Sequence, residues 1–188
     1  MPDKYYISLD IETDGPVPMP NSMLSLGMAA FKAETGTMLD TFGINILPLI
    51  GGRQDPQTME WWKKFPRAWE QATDLAVNPE CAMRRVDRWI KTIGSDGLVC
   101  VAAPASFDHT FFRWYWWNFL GRETPFERRC IDLRSYIAGV FGKDYMDSHK
   151  GSVPTELIPP APHTHIAVDD AVEQGKLFVN VLTHRRST

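Results

Sequence analysis

Asp10 and Glu12, in the stretch ISLDIETDG (residues 7–15), are the first residues whose types and spacing could do chemistry. Ile7, Leu9 and Ile11 alternate with smaller or polar partners, the pattern of a strand with one face buried. Side chains two apart in a strand share a face, so the two carboxylates stand side by side near its end. Like charges about 4 Å apart repel by roughly 4 kcal/mol at an effective dielectric of 20. Two further acids join them when the helices are read as faces. In SFDHTFFRWYWWNF, Asp108 shares a helical stripe with Phe112, Tyr115 and Phe119. In HTHIAVDDAVEQGKLFVNVL the inward stripe is Ala167, Ala171, Gln174, Phe178 and Val181. Asp170 lies on that stripe, and Asp169 is about 100° away. His163 and His165 precede this helix. Singly, each residue has a plain structural reading. Asp10 can form a turn, Asp108 and the Asp169–Asp170 pair can serve helix N-termini, and the two histidines can be solvated loop residues.

The elements that must position these groups are legible at low resolution. Strands are predicted over about 5–11, 23–32 and 37–47, the last two joined through a hairpin turn at Glu34, Thr35 and Gly36. Asp55-Pro56 reads as an N-cap and first helical residue ahead of the short helix TMEWWKKF, and Pro66 starts another. Residues 79–93 form an amphipathic helix with Val86, Trp89, Ile90 and Ile93 inward. LVCVAA (98–103) suits a strand buried on both faces. A helix follows over about 106–119, then a short strand at 129–133 and a helix near 133–140. Residues 142–166, with Pro154, Pro159, Pro160 and Pro162, are loop-like. The last helix is predicted over 167–183. A three-strand meander followed by strand–helix alternation is an α/β layered architecture, in which ligands sit at the carboxyl ends of strands. Asp10, Glu12 and Asp108 all fall there.

The bulk numbers bound the answer. The chain has 188 residues, 44% hydrophobic and 23% charged, enough for one domain (residues 1–188) with a substantial, aromatic-rich core built around seven Trp and ten Phe. The net charge of −3 argues against holding nucleic acid by bulk positive charge, so any phosphate site needs local basic groups or metal ions. Three scattered cysteines, Cys81, Cys100 and Cys130, have no metal-site spacing and read as reduced thiols. No signal pattern and no membrane-length apolar run is present, so a cytoplasmic location is expected.

The combination of D-x-E ending the first strand, F-D opening a helix after a buried strand, and H-x4-D opening the last helix resembles the DEDDh branch of the 3′–5′ exonucleases. DIETDG, SFDHTFF and HIAVDDA match its three motifs in order over nearly the whole chain. The TMEWWKK segment also resembles the branch that holds a phage exonuclease and the exoribonucleases related to ribonuclease AS. Pro104 departs from the Asn or Gly that many relatives carry before the second motif. The resemblance implies a ribonuclease H-like α/β fold with a central mixed sheet of about five strands, an antiparallel meander plus parallel strands, flanked by helices. It implies a metal-dependent exonuclease that releases 5′-mononucleotides from the 3′ ends of single-stranded nucleic acid, RNA ahead of DNA.

In that family's mechanism Asp10, Glu12, Asp108 and Asp170 hold two divalent cations, Mg²⁺ or Mn²⁺, as an all-oxygen donor set suits. The cations would make the crowded acids tolerable. His165 would take the proton of the attacking water, its spacing to Asp170 favouring it over His163. Thr13 resembles a contact to the terminal nucleotide. Ser25, Leu26 and Phe107 are placed to touch sugar or base. Trp61 and Trp62 offer stacking faces, with core packing expected to claim at least one of them. Arg84, Arg85, Arg88 and Lys91 read as a solvated basic face with phosphate contact as the lesser alternative. A homodimer is a further expectation. A rival reading is a catalytically silent nucleic-acid-binding module of the same fold.

Overall fold

A computed structural model describes residues 4–94, 96–160 and 164–187. Its sheet has five strands in the order β3-β2-β1-β4-β5: β1 (Tyr5–Thr13), β2 (Met23–Lys32), β3 (Met38–Asn45), β4 (Leu98–Ala102) and β5 (Cys130–Asp132). The first three pair antiparallel, while β4 and β5 run parallel to β1 and to each other. The mixed sheet expected from the sequence is therefore present. β1 runs on to Thr13, two residues past the expected end, because Ile11, Glu12 and Thr13 stay registered on Leu26, Ser25 and Met23 of β2.

Among the described residues six helices cover it: α1 (Pro56–Trp62), α2 (Pro66–Thr73), α3 (Pro79–Ile93), α4 (Ala105–Leu120), α5 (Leu133–Phe141) and α6 (Ala167–Ser187). Proline opens the first three, and Asp55 and Asn78 side chains cap α1 and α3 by accepting the N–H of Thr58 and Glu80. The described residues of 142–160 and 164–166 are mainly loop, with short 3-10 turns at Lys150–Ser152 and Thr155–Leu157.

The alternation in β1 divides the layers. Ile7, Leu9 and Ile11 pack with Val86, Trp89 and Ile90 of α3 and with Phe111, Phe112 and Tyr115 of α4. On the other face, Val101 and Tyr6 pack with α5 and α6 through Leu133, Ile137, Phe178 and Val181. Both clusters are fully or nearly buried, at about 25 cal/mol per Å² of apolar surface removed from water. Two glycines let α6 lie unusually close to the sheet. A Cβ at Gly27 would stand 2.0 Å from the Ala167 carbonyl oxygen, and one at Gly175 would meet the Phe31 ring at 2.3 Å. Among the described residues no helix is long and apolar enough to cross a membrane.

Candidate active site

β1 delivers Asp10 and Glu12 to the face that α6 covers. Ser8, two residues earlier on that face, accepts a hydrogen bond from the Gln174 amide at 3.0 Å, and Leu9's carbonyl accepts from the same amide at 3.1 Å. This clamp fixes α6 against β1, with Asp170 one turn upstream. At the N-terminus of α4, Asp108 is 4% exposed and accepts the backbone N–H of Ile11 at 3.2 Å. A carboxylate that could have served only its own helix therefore reaches across to β1. Asp132 was missed by the sequence reading. It caps α5 through Ser135 N–H at 2.7 Å and also accepts Ala105 N–H at 2.9 Å, joining the starts of α4 and α5. Its signal was the local D-L-R-S cap pattern, which carries no hint of the second partner.

The four expected acids converge. Burial pushes the Asp10 carboxyl well above its ordinary range, and Asp108, Glu12 and Asp170 push it further. Burial raises Glu12 to about 8, with Asp170 and then Asp108 adding to it. Burial raises Asp108 to about 7, against the pull of its own and Ile11's backbone N–H groups. Asp10 itself is only partly buried, because it borders an open cleft. Asp170, 2% exposed, takes Thr164 N–H on one oxygen at 3.0 Å and His165 N–H on the other at 2.9 Å. The acid thereby shapes the turn that presents the histidine, whose backbone adopts φ +57°.

His165 is further held by aromatic rings. Phe65 lies 4.3 Å from its ring centroid and Trp61 lies edge-on at 4.9 Å. One oxygen each of Glu12 and Asp170 and a ring nitrogen of His165 all lie within 4.8 Å of one another. Buried carboxylates that would otherwise be forced to protonate, with a neighbouring imidazole, fit hard divalent cations. Asp169 is exposed, as its position off the stripe required. His163 lies outside the described residues.

The residues expected at the substrate divide. Trp62 is 2% exposed and donates its indole N–H to the Thr13 carbonyl at 2.9 Å, so it is a packing residue and offers no stacking face. Leu26 is likewise corrected: its side chain is wholly buried in the α3–α4 core. Trp61 is half-buried beside His165, and Phe107 is half-buried on Phe111. Thr13 donates its hydroxyl to the Gly15 carbonyl at 2.9 Å, and Ser25 donates to Asn45 at 2.9 Å. Phe65 was not anticipated, since nothing in the spacing of a lone Phe before Pro66 links it to a loop a hundred residues on. The basic face of α3 is solvated, with Arg84 paired to Glu80 and Lys91 to Asp87 one turn away.

Comparison with known proteins agrees with this geometry. The model of the 3′-5′ exoribonuclease Rv2179c-like domain family matches residues 5–182. Cap18 of Escherichia coli, a 3′-5′ DNA exonuclease, is 28% identical over 175 residues, covering 92% of this chain and 89% of Cap18. The nuclease domain of 3′hExo, a DEDDh family member solved with bound rAMP, superposes with a TM-score of 0.73 at 13% identity, covering 97% of this chain and 93% of that one. E. coli Exonuclease I in complex with a dA16 oligonucleotide gives a TM-score of 0.68 at 12% identity, covering 96% of this chain but 41% of the larger enzyme. The two structural likenesses bear on the fold, which is the ribonuclease H-like α/β fold of the DEDDh nucleases. With three motifs converging on one acidic centre and a family model spanning residues 5–182, the chain belongs to the 3′-5′ exoribonuclease Rv2179c-like domain family and is a 3′–5′ exonuclease.

Proposed function

We propose that the protein removes 5′-mononucleotides one at a time from the 3′ end of single-stranded RNA, using two divalent cations, Mg²⁺ or Mn²⁺. The observation that carries this reading is the meeting of Asp10, Glu12, Asp108 and Asp170 beside His165. Cations bound to those oxygens would neutralise charge on the phosphoryl group and acidify the attacking water. Everything else falls to the chain. Asp10, Glu12, Asp108 and Asp170 hold the cations. His165 accepts the water's proton, with Asp170 fixing its backbone and Trp61 and Phe65 fixing its ring. Thr13, Ser25 and Phe107, with the open part of Trp61, border the terminal nucleoside. The free thiols of Cys81, Cys100 and Cys130 accord with a reducing cytoplasm.

The family's description as exoribonucleases supports RNA, and the 28% identity to Cap18 makes DNA the second reading. Matched 5′-labelled RNA and DNA oligomers, with Mg²⁺, with Mn²⁺ and with EDTA, test it. The expected result is a metal-dependent ladder shortening from the 3′ end, faster on RNA. Equal or faster loss of DNA would overturn the sugar preference alone. No metal-dependent shortening would favour a silent binding module, and cutting of a circular substrate would indicate an endonuclease.

A further inference from the structure

The cysteines are scattered in sequence, and the sheet brings two of them together. β4 and β5 run parallel with Cys100 opposite Cys130, Val101 opposite Ile131 and Ala102 opposite Asp132. Cys100 N–H donates to the Arg129 carbonyl at 2.9 Å, which fixes that register. Opposed side chains leave the sheet on one face, and here both thiols join the core on the α3–α4 side. Neighbouring strands stand about 4.8 Å apart, a Cα separation that a disulfide spans. The Cβ atoms of parallel partners keep about that spacing, which is wider than the roughly 3.8 Å of a relaxed disulfide. A bond between these sulfurs therefore closes only by drawing β5 inward at Cys130, and a bond under such strain is easily reduced.

The two thiols differ in access. Cys100 is wholly buried, whereas Cys130 is only partly so. Burial holds the Cys100 thiol well above its ordinary range, and Cys130 and then Asp108 push it further. An oxidant thus meets Cys130 first, with Cys100 as the thiol beside it. Cys81, on α3, belongs to neither strand. Cys130 also sits where movement matters. Asp132, two residues on and on the same face, accepts Ala105 N–H at 2.9 Å. Pro104 gives α4 no side-chain cap, so Asp132 holds the start of the helix that carries Asp108.

We propose that Cys100 and Cys130 form a reversible disulfide under hydrogen peroxide, and that its closure weakens cation binding by pulling Asp132 and the start of α4 out of place. The Cys130 sulfur attacks one peroxide oxygen, the O–O bond breaks, and water leaves a sulfenic acid on Cys130. The Cys100 sulfur then attacks that of Cys130. The S–S bond forms, the S–O bond breaks, and the hydroxyl departs with the Cys100 proton as a second water. The two thiols give up two electrons and two protons, and peroxide takes both. As regulation, this rests on the exonuclease reading.

The test begins with metal-free protein in EDTA, treated with excess hydrogen peroxide. Its remaining thiols are alkylated under denaturing conditions and its peptides mapped by mass spectrometry. The expected product links the Cys100 peptide to the Cys130 peptide and leaves Cys81 outside the link. After desalting of a parallel sample, Mn²⁺ titration followed by electron paramagnetic resonance should show affinity about tenfold weaker than in the reduced protein, as disturbing a partner behind a metal ligand gives. Dithiothreitol should restore it. Cys130→Ser and Cys100→Ala should each bind Mn²⁺ like the reduced parent and ignore peroxide. Absence of the link, a linked protein that binds Mn²⁺ as before, or a loss of affinity that persists in Cys130→Ser overturns the proposal. The link and the Mn²⁺ affinity are read without turnover, so a failure of the switch is separable from a failure of the exonuclease reading.

Discussion

Metal-free Glu12→Gln protein should be more stable than its parent in mild alkali and almost no more stable in acid. Glu12's carboxyl stands at about 8 against an ordinary 4.5. A folded-state value above the unfolded one means that the native state holds the extra proton between those limits. Stability is therefore lost as pH rises through that window, and the loss is complete above about 8. At about 1.36 kcal/mol per pH unit, ionising Glu12 in the metal-free fold costs about 5 kcal/mol. Rotation toward the open cleft beside Asp10 and entry of water shed part of that, leaving a gain of roughly 2–5 kcal/mol for the variant near pH 8.5. For a chain of this length that is roughly 5–15 °C in melting temperature, against under about 1 kcal/mol near pH 5. Circular-dichroism melts in EDTA at the two pH values measure it. Added Mn²⁺ should close the gap by stabilising the parent alone. A variant less stable than the parent at high pH, or an advantage that ignores pH, would refute the crowding of charge at Glu12.

Three further outcomes follow from named contacts. Asp10→Ala should cut turnover by about 10³-fold or more, the loss of several kcal/mol of charge stabilisation, while the metal-free fold is as stable as before or more so. Near-normal activity would remove Asp10 from the metal set. His165→Ala should lower kcat by about 10²–10⁴-fold with little change in KM, and the same pattern in His163→Ala instead would move the base to that residue. Gly27→Ala forces a methyl into the Ala167 backbone, so it should cost about 1–3 kcal/mol and also lower kcat by shifting Asp170 away from β1. An unchanged kcat would mean that the closeness of α6 is not needed for catalysis.

The parts of this molecule that were legible in advance are those where a local pattern and a tertiary demand coincide. Asp10 and Glu12 could be placed because strand alternation alone puts them together. Asp170 was separable from Asp169 by helical angle, and the structure leaves one buried and the other exposed. Boundaries slipped where only pairing or length decides. Thr13 stays in β1 because β2 accompanies it, and α6 continues to Ser187 through polar residues that carry no stop signal. Trp61 and Trp62 are indistinguishable in sequence, and only the distant Thr13 carbonyl that receives the Trp62 indole N–H settles which is core. Asp132 and Phe65 were illegible for the same reason, since each acts on a segment far away in the chain. The stretch around Ser148 could be read only as loop, because its order comes from contacts such as Arg134 to Ser148.

The account turns on charge: four carboxylates from three separate segments tolerate one another because divalent cations bind among them. Counting Mn²⁺ bound per chain near neutral pH tests this most directly, by electron paramagnetic resonance or calorimetry, with protons released on binding recorded in parallel. The expected result is two ions per wild-type chain with net proton release from Asp10, Glu12 and Asp108, and weakened binding in Asp10→Ala. A chain that binds no Mn²⁺, or binds it equally well without Asp10, would contradict the account.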